Sequence, residues 1–223
     1  MSTAVLEQPR QDQRPAATAV APPVVALKRR TIDSVLIGFG VVATVVFAVA
    51  GGLLTWGNSF ASDYVTKELS SQNITFPSAE ALTEDGRTDL IEFADQRLDT
   101  GKEAEAYASF IDGHLTGIAG GATYADLGAT ESAAKADVKA AVEAGEPQAK
   151  VDELQATADG VSTQRNTLFT GETLRGLLLS AYAWSTVGMI AGIAAIAAFA
   201  AAAIMLVLVG LGLVHHRRTP KTA

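Results

Sequence analysis

Two long runs without a charged side chain constrain this chain more than any other feature. Ser34–Ala61 holds no charged residue over 28 positions, and Gly176–His216 holds no Asp, Glu, Lys or Arg over 41 positions. A helix that crosses a bilayer needs roughly 20 apolar residues, and core helices of soluble domains rarely run so far without a charge. Both runs therefore predict transmembrane helices.

The residues that flank each run are those expected at membrane surfaces. Basic residues stand at one end of each helix and a tryptophan stands near the other, as in membranes with cytoplasmic Lys/Arg and aromatic belts. At about 1.5 Å per residue, each span with its flanks covers about 42 to 46 Å, close to a whole bilayer. The predicted interface anchors are Lys28, Arg29, Arg30, Trp56, Trp184, Arg217 and Arg218.

The distribution of charge predicts the orientation. The tails before and after the two spans together carry 8 basic and 3 acidic residues. Because the chain has 17 basic and 24 acidic residues, Asn58–Ser185 holds the other 9 basic and 21 acidic ones, a net charge of −12. Basic flanks stay inside, so we expect a plasma-membrane protein with both termini in the cytoplasm and the acidic segment outside.

A cleaved signal peptide is the alternative interpretation of the first run. The basic flank, the apolar stretch and the small residues Ala48–Ala50 resemble such a leader. The apolar run continues past this point and the N-terminal flank is unusually long, which favours an uncleaved helix. The second span anchors the protein in either case.

We therefore expect an all-α membrane protein with two transmembrane helices and a helical extracytoplasmic domain between them. Within that domain, residues 130–160 are predicted to be a mobile helical insertion, in which Thr130 caps a helix, Glu131 pairs with Lys135, and Gly160 ends a second short helix. The predicted segments are a disordered cytoplasmic tail at 1–30, transmembrane helices at 31–57 and 186–214, the acidic outer domain at 58–185, and a basic cytoplasmic tail at 215–223.

His114, the one histidine of the outer segment, decides whether an enzyme is expected. It lies on the apolar face of a predicted helix that ends at Gly120, and a zinc or iron site usually takes two or three histidines. No Gly-x-Ser-x-Gly elbow is present, so we expect a packing role, no catalytic residue, no metal and no cofactor. The predicted packing face is Tyr107, Phe110, Ile111, His114, Leu115 and Ile118, with Tyr124 packing back after a turn.

Two absences from the sequence exclude further classes of function. The chain has no cysteine, which excludes disulfides, thiol catalysis and thiolate metal sites. The two runs contain no Asp, Glu, Lys or Arg, and proton relays and ion pathways generally need such groups in the membrane. A transporter is therefore not expected.

Small residues at helical spacing predict helix–helix contacts. Such faces let two helix backbones approach closely, which drives association in lipid. Either the two spans pack on each other, or one small-residue face remains free for a partner. The residues concerned are Gly40, Thr44, Ala48 and Gly52 in the first span and Gly188 and Gly192 in the second.

Several stretches resemble a group of actinobacterial two-span membrane proteins that are often labelled aromatic ring-opening dioxygenases. The similar stretches are AGGLLTWG, NIT, AYASFIDGHLTGIAGGATYADL and RNTLFTGETLRGLLLSAYAWSTVGM. The label itself finds no support here, because one outer histidine cannot supply an iron ligand set. What the resemblance implies is a membrane protein of actinobacteria, and by analogy a companion of the respiratory cytochrome supercomplex.

The sequence thus predicts a non-catalytic accessory or stabilising subunit of a larger membrane complex. Its expected partners are the lipid bilayer and other membrane-protein subunits or a second copy of itself, with no nucleic acid. One alternative is a stand-alone envelope protein whose outer domain binds a lipid, a cell-wall polymer or a cationic ligand in a cavity beneath Tyr107, Phe110, Ile111 and His114. Another is a membrane-tethered hydrolase, which needs polar groups converging on His114.

Overall fold

The computed structural model describes residues 29–218, without the side chain of Arg29. Within this range the chain is almost entirely helical and forms no β-strand, which confirms the predicted all-α class. Of the tails predicted at 1–30 and 215–223, residues 1–28, with the anchor Lys28, and residues 219–223 lie outside the described residues, and the remaining residues belong to the ends of the two long helices. The elements are α1 (Arg29–Ser71), α2 (Ala79–Glu84), a 3-10 helix (Thr88–Phe93), α3 (Gly101–Ala119), α4 (Tyr124–Glu143) and α5 (Gln148–Arg218).

Two helices dominate the molecule. α1 has 43 residues and α5 has 71, which at 1.5 Å per residue gives about 65 and 105 Å. Each contains a stretch that is long and apolar enough to cross a membrane, with mean hydropathy 2.3 in α1 and 2.7 in α5. The predicted segment boundaries at 57/58 and 185/186 fall inside these helices, which continue through them without a break.

α1 and α5 pack side by side in antiparallel directions. A side chain at Gly40 would meet Val209, and one at Gly188 would meet Ala61. Residues later in α1 therefore contact residues earlier in α5. Residues of α5 that are buried in this contact recur every seven positions, as in left-handed helix pairs with alternating three- and four-residue spacing. They are Gly188, Ala195, Ala202 and Val209.

The C-terminal part of α1 and the middle of α5 share a hydrophobic core with α2, the 3-10 helix and α3. α1 continues beyond Trp56 to Ser71, and this part contributes Val65 and Leu69 to the core. The start of α3 lies so close to α5 that Gly101 has no room for a side chain beside Ser185. The remaining buried core residues are Phe76, Leu82, Leu90, Phe93, Leu98, Ala104, Ala106, Ala108 and Leu178.

Local signals at the ends of α3 act as expected from helix chemistry. The Thr100 hydroxyl accepts from the Glu103 backbone N–H while the Glu103 carboxylate accepts from the Thr100 N–H, which satisfies two otherwise unpaired donors. At its other end α3 stops at Gly120, as predicted, because the φ of +60° there is one that glycine adopts without strain.

The helical hairpin formed by α4 and the first part of α5 differs from the prediction in two respects. α4 begins at Tyr124, capped by Thr123 and Asp126, so the expected turn at this point is the first turn of a helix and Thr130 lies inside it. The predicted helix end at Gly160 is wrong, because α5 runs through it. A single glycine costs a helix about 1 kcal/mol, which the packing of α4 on α5 offsets.

Candidate functional site

His114 lies on α3 with about half of its side chain exposed. Its Nδ1 is 3.3 Å from the carbonyl oxygen of Phe110, and its ring lies against the Phe110 ring at 4.5 Å. Its Nε2 is 3.9 Å from Asp85 Oδ2, which is beyond hydrogen-bond distance. The polar atom nearest to this histidine is therefore a main-chain oxygen of its own helix.

Arg87 connects the segment before the 3-10 helix to α3, next to His114. Its guanidinium donates to both carboxylate oxygens of Asp89, at 3.0 and 2.8 Å, and to the carbonyl and hydroxyl oxygens of Ser109, at 2.6 and 2.9 Å. The hydrogen bond to Asp89 raises the pKa of Arg87, and the same bond lowers the pKa of Asp89. All of these groups are engaged with one another, so the arrangement is a structural tie.

The open groove beside His114 offers little chemistry. It has a volume of about 350 Å³ and is lined by Asp85, Arg87, Gly113, Gly117 and Ile118 besides the histidine. Among residues 29–218, no group of three or more His, Asp and Glu side chains is placed to hold a metal ion. Asp85 and Arg87 are the charged residues that line this groove with His114, and neither is hydrogen-bonded to the imidazole.

The predicted packing face of α3 is divided between core and surface. Leu115 is buried, and Tyr107, Phe110 and Ile111 pack against the core without lining the His114 groove. Burial raises the pKa of the Tyr107 hydroxyl. His114 and Ile118, by contrast, are exposed, and Tyr124 of α4 packs on Phe169 and Arg165 of α5.

The predicted small-residue faces are used in part between the two long helices. Gly40 lies under Val209, and Gly188 and Gly192 lie under Ala61 and Asn58. Thr44, one turn beyond Gly40, is half-buried, whereas Ala48 is exposed and Gly52 faces open space among the described residues. The contact between the helices repeats every seven residues, in steps of three and four, so residues that repeat every four positions gradually turn away from it. Ala48 and Gly52 therefore lie outside the contact.

The predicted basic anchors meet at one end of the helix pair. Arg30 Nε, in the first turn of α1, donates to His216 Nε2 in the last turn of α5 at 3.4 Å. Arg217 and Arg218 follow and are exposed, and the side chain of Arg29 lies outside the described part of the chain. The first turn of α1 and the last turn of α5 therefore carry their basic residues at one height.

The predicted tryptophan anchors stand at different heights. Since Gly188 faces Ala61, Trp184 is level with about Val65. Val65 lies nine residues beyond Trp56, so the two tryptophans are about 13 Å apart along the helix pair. Trp184 therefore lies further than Trp56 from the end of the helix pair that carries Arg30 and His216.

Exposed apolar and aromatic side chains of α1 and α5 lie near Trp184. Trp56, Phe60 and Tyr64 stack in sequence along α1, with ring centroids 5.7 and 6.2 Å apart. Tyr64 also lines a groove of about 310 Å³ between α1 and α5. We call this surface the aromatic face; its members are Trp56, Phe60, Tyr64, Leu174, Leu177 and Trp184.

The i, i+4, i+8 spacing of the three aromatic residues indicates from the sequence alone that they share one face of a helix. Their contact with residues of α5 could not be predicted from the sequence, because leucines are common before an apolar span whatever they contact. Leu174, Leu177 and Trp184 join the aromatic face only through the register of α1 against α5.

A polar cluster joins α4 to α5 away from both grooves. Glu131 accepts hydrogen bonds from Lys135 at 2.6 Å, Ser162 at 2.7 Å and Arg165 at 2.8 Å. The hydrogen bonds from these three donors, of which the one from Lys135 has the largest effect, lower the pKa of the Glu131 carboxyl to about 2. The predicted pair with Lys135 is thereby confirmed.

The partner across the hairpin was not predicted. Arg165 lies 34 residues from Glu131 in sequence, and its guanidinium also covers the Tyr124 ring at 4.2 Å. It passes close to Gly128, where a side chain would crowd it.

Comparisons with protein-family models, with curated proteins and with solved structures found no match to this chain.

Proposed function

We propose that this chain is a two-pass protein of the plasma membrane, with both termini in the cytoplasm and residues 58–185 outside. We further propose that it is a non-catalytic accessory subunit that stabilises a larger membrane complex. The aromatic face is the observation that carries this proposal.

The exposure of the long helices supports the membrane location. Their most apolar stretches are buried within the chain at 11 % and 17 % of positions, whereas the core helix of a soluble protein buries most of its apolar side chains. A bilayer is the solvent that covers such surfaces. The close helix contact through Gly40, Gly51, Gly188 and Gly192 is also the kind that holds helices together in lipid.

The height of the outer part of the aromatic face, at Tyr64, Leu174, Leu177 and Trp184, supports a protein partner. Arg30–Ala61 spans about 46 Å, as much as a bilayer with its headgroups, so the groove beside Tyr64 lies beyond the lipid. Asp63, Lys67 and Glu68 of the same turns of α1 are exposed, as they are in water. A contiguous apolar surface in water is typical of a protein interaction site, and aromatic residues are enriched in the centre of such sites.

The surroundings of His114 support a non-catalytic role. Its polar neighbour within hydrogen-bond distance is the Phe110 carbonyl, and the nearby Arg87 is occupied by Asp89 and Ser109. A general acid or base is oriented by a hydrogen-bonded partner, and the Asp85 carboxylate, at 3.9 Å from His114 Nε2, is not hydrogen-bonded to it.

Co-purification of the full-length protein from its native membranes tests the proposal. In a gentle detergent, we expect recovery in fixed ratio with one multisubunit membrane complex. The resemblance described above makes the respiratory cytochrome supercomplex the first candidate, which haem absorbance of the purified material detects.

A pair of variants connects this result to the aromatic face. Leu177→Glu places a charge in the groove and is expected to abolish recovery of the complex, while Val142→Glu on α4 is expected to preserve it. The two positions are matched, being 66 % and 58 % exposed. Recovery of the wild-type chain alone, or equal recovery with both variants, would refute the proposed docking role.

A further inference from the structure

A second groove lies between α1 and α5 within the uncharged part of the helix pair. It has a volume of about 610 Å³, and no charged residue lines it. Its walls include Thr55, Asn58 and Ser62 of α1 and Ser185, Ile196 and Phe199 of α5. Its apolar end lies inside the proposed span and its polar end lies at the outer boundary of that span. The inference drawn from this groove rests on the membrane location proposed above.

The lining changes from polar to apolar along the groove. Phe199 lies against Gly51, so its end of the groove is the one nearer to the inner ends of the helices. Ser62 is eleven residues further along α1, about 16 Å outward. Hydroxyl and amide groups thus stand at the outer end and hydrocarbon side chains at the inner end, in the same order as the glycerol region and acyl chains of an outer-leaflet lipid.

The polar groups at the outer end have free hydrogen-bonding capacity. Thr55 donates to the Gly51 carbonyl at 2.8 Å, but Asn58, Ser62 and Ser185 make no side-chain hydrogen bond to any residue in the range 29–218. A polar group without a partner in apolar surroundings costs free energy, so acceptors from outside the chain stabilise this end. A diacyl phospholipid supplies ester and phosphate oxygens as acceptors at this boundary.

A third helix fits this groove less well than a lipid does. The glycines that let backbones approach are already covered, Gly188 by Ala61 and Gly192 by Asn58. What projects beside them are the branched side chains Ile193 and Ile196, which are 64 % and 73 % exposed. A flexible acyl chain follows such an uneven wall, whereas a rigid helix needs small residues there.

We propose that this groove binds one diacyl lipid of the outer leaflet. An acyl chain lies along Ile196 and Phe199, and the ester and phosphate oxygens accept hydrogen bonds from Asn58 and Ser62. Because no charged side chain lines the groove, recognition is independent of the headgroup.

Photolabelling in vesicles tests this site. The full-length protein is reconstituted in phosphatidylcholine vesicles that contain a trace of phosphatidylcholine with a diazirine near the middle of one acyl chain, and labelled residues are mapped by mass spectrometry. We expect several-fold more label on Ile193 and Ile196 than on Ile190, which is exposed to 59 % on the same helix but does not line the groove. A phosphatidylglycerol probe is expected to give the same pattern.

Matched variants separate a site from general lipid contact. Ile196→Trp fills the groove and is expected to remove the preference for Ile193, while Ile190→Trp retains it. Ser62→Ala, a milder change at an exposed position, is expected to lower the preference by about threefold, as for one hydrogen bond of ordinary strength.

The possible outcomes are distinguishable. Label that follows exposure alone around α5, in protein that resists carbonate extraction, overturns the lipid site and leaves the membrane location intact. Protein that does not enter the vesicles overturns both.

Discussion

The carboxylate of Glu131 accepts hydrogen bonds from donors on both helices of the hairpin formed by α4 and α5. Two of these donors, Ser162 and Arg165, come from α5, and the third, Lys135, lies one turn further along α4. Surface ion pairs contribute little to stability on average, but several charges in a network contribute more than isolated pairs. We therefore expect the charge of Glu131 to add to the apolar packing that joins the two helices, such as that of Leu127 against Leu168.

We predict that this contribution depends on pH. The pKa of Glu131 is lowered from 4.5 to about 2, so its stabilising effect is complete above about pH 4.5 and is lost as the pH falls towards 2. Glu131→Gln is expected to speed hydrogen exchange of the α4 amides several-fold near neutral pH, and to have little effect near pH 2. The measurement is hydrogen exchange by mass spectrometry, with rates corrected for the intrinsic effect of pH.

Glu143→Gln is the matched control on the same helix. Glu143 is exposed and its partner Lys139 lies 3.8 Å away, so its loss is expected to change exchange only slightly. An effect of Glu131→Gln that is the same at both pH values would show that the charge of Glu131 is not what stabilises the hairpin.

At the scale of elements, the contact between α1 and α5 depends on which glycines face the partner. A side chain at Gly51 would lie 2.9 Å from the Phe199 ring, whereas Gly52 has open space around it within the described part of the chain. Adjacent residues of a helix point about 100° apart, so one glycine lies inside the contact and the next lies outside.

We predict opposite consequences for the same substitution at these neighbours. Gly51→Leu is expected to destabilise the helix pair by about 1–3 kcal/mol through overcrowding. Gly52→Leu is expected to be neutral or stabilising by up to about 1 kcal/mol, because leucine favours helices over glycine. Thermal unfolding of the full-length protein in detergent, followed by circular dichroism, measures both; a larger loss from Gly52→Leu would contradict the register.

At the scale of the whole molecule, the proposed orientation rests on basic flanks that lie together at one end of the helix pair. Arg30 and His216 are in contact there, and Arg217 and Arg218 follow. The acidic segment between the spans lies at the opposite end. Because the chain has no cysteine, single cysteines report on each side without background.

We predict that Ser132→Cys on α4 reacts with a membrane-impermeant maleimide in intact cells. Thr219→Cys, near the C-terminus, is expected to react only after the membrane is permeabilised, because basic flanks stay in the cytoplasm. The opposite pattern would invert the topology. A mature protein that begins after Ala50, detected by its mass, would support the signal-peptide alternative.

The sequence by itself determined the features that depend on local composition and local chemistry. Uncharged runs long enough for a bilayer identify α1 and α5 as candidate spans, since hydropathy is additive along a helix. Gly120 ends α3 because its backbone conformation favours glycine. The capping pattern of Thr123 and Asp126 is equally local, and it places the cap of α4 seven residues before Thr130, the predicted cap.

Only the tertiary structure decided which of these helix faces touch. Gly51 lies inside the contact and Gly52 outside it, although both are glycines of one apolar run, because the register of α1 against α5 is set by packing along the whole pair. The same register places Trp184 beside Tyr64. Glu131 finds Arg165 across 34 residues for the same reason: a contact between distant segments depends on how helices pack, and helical periodicity carries no record of that.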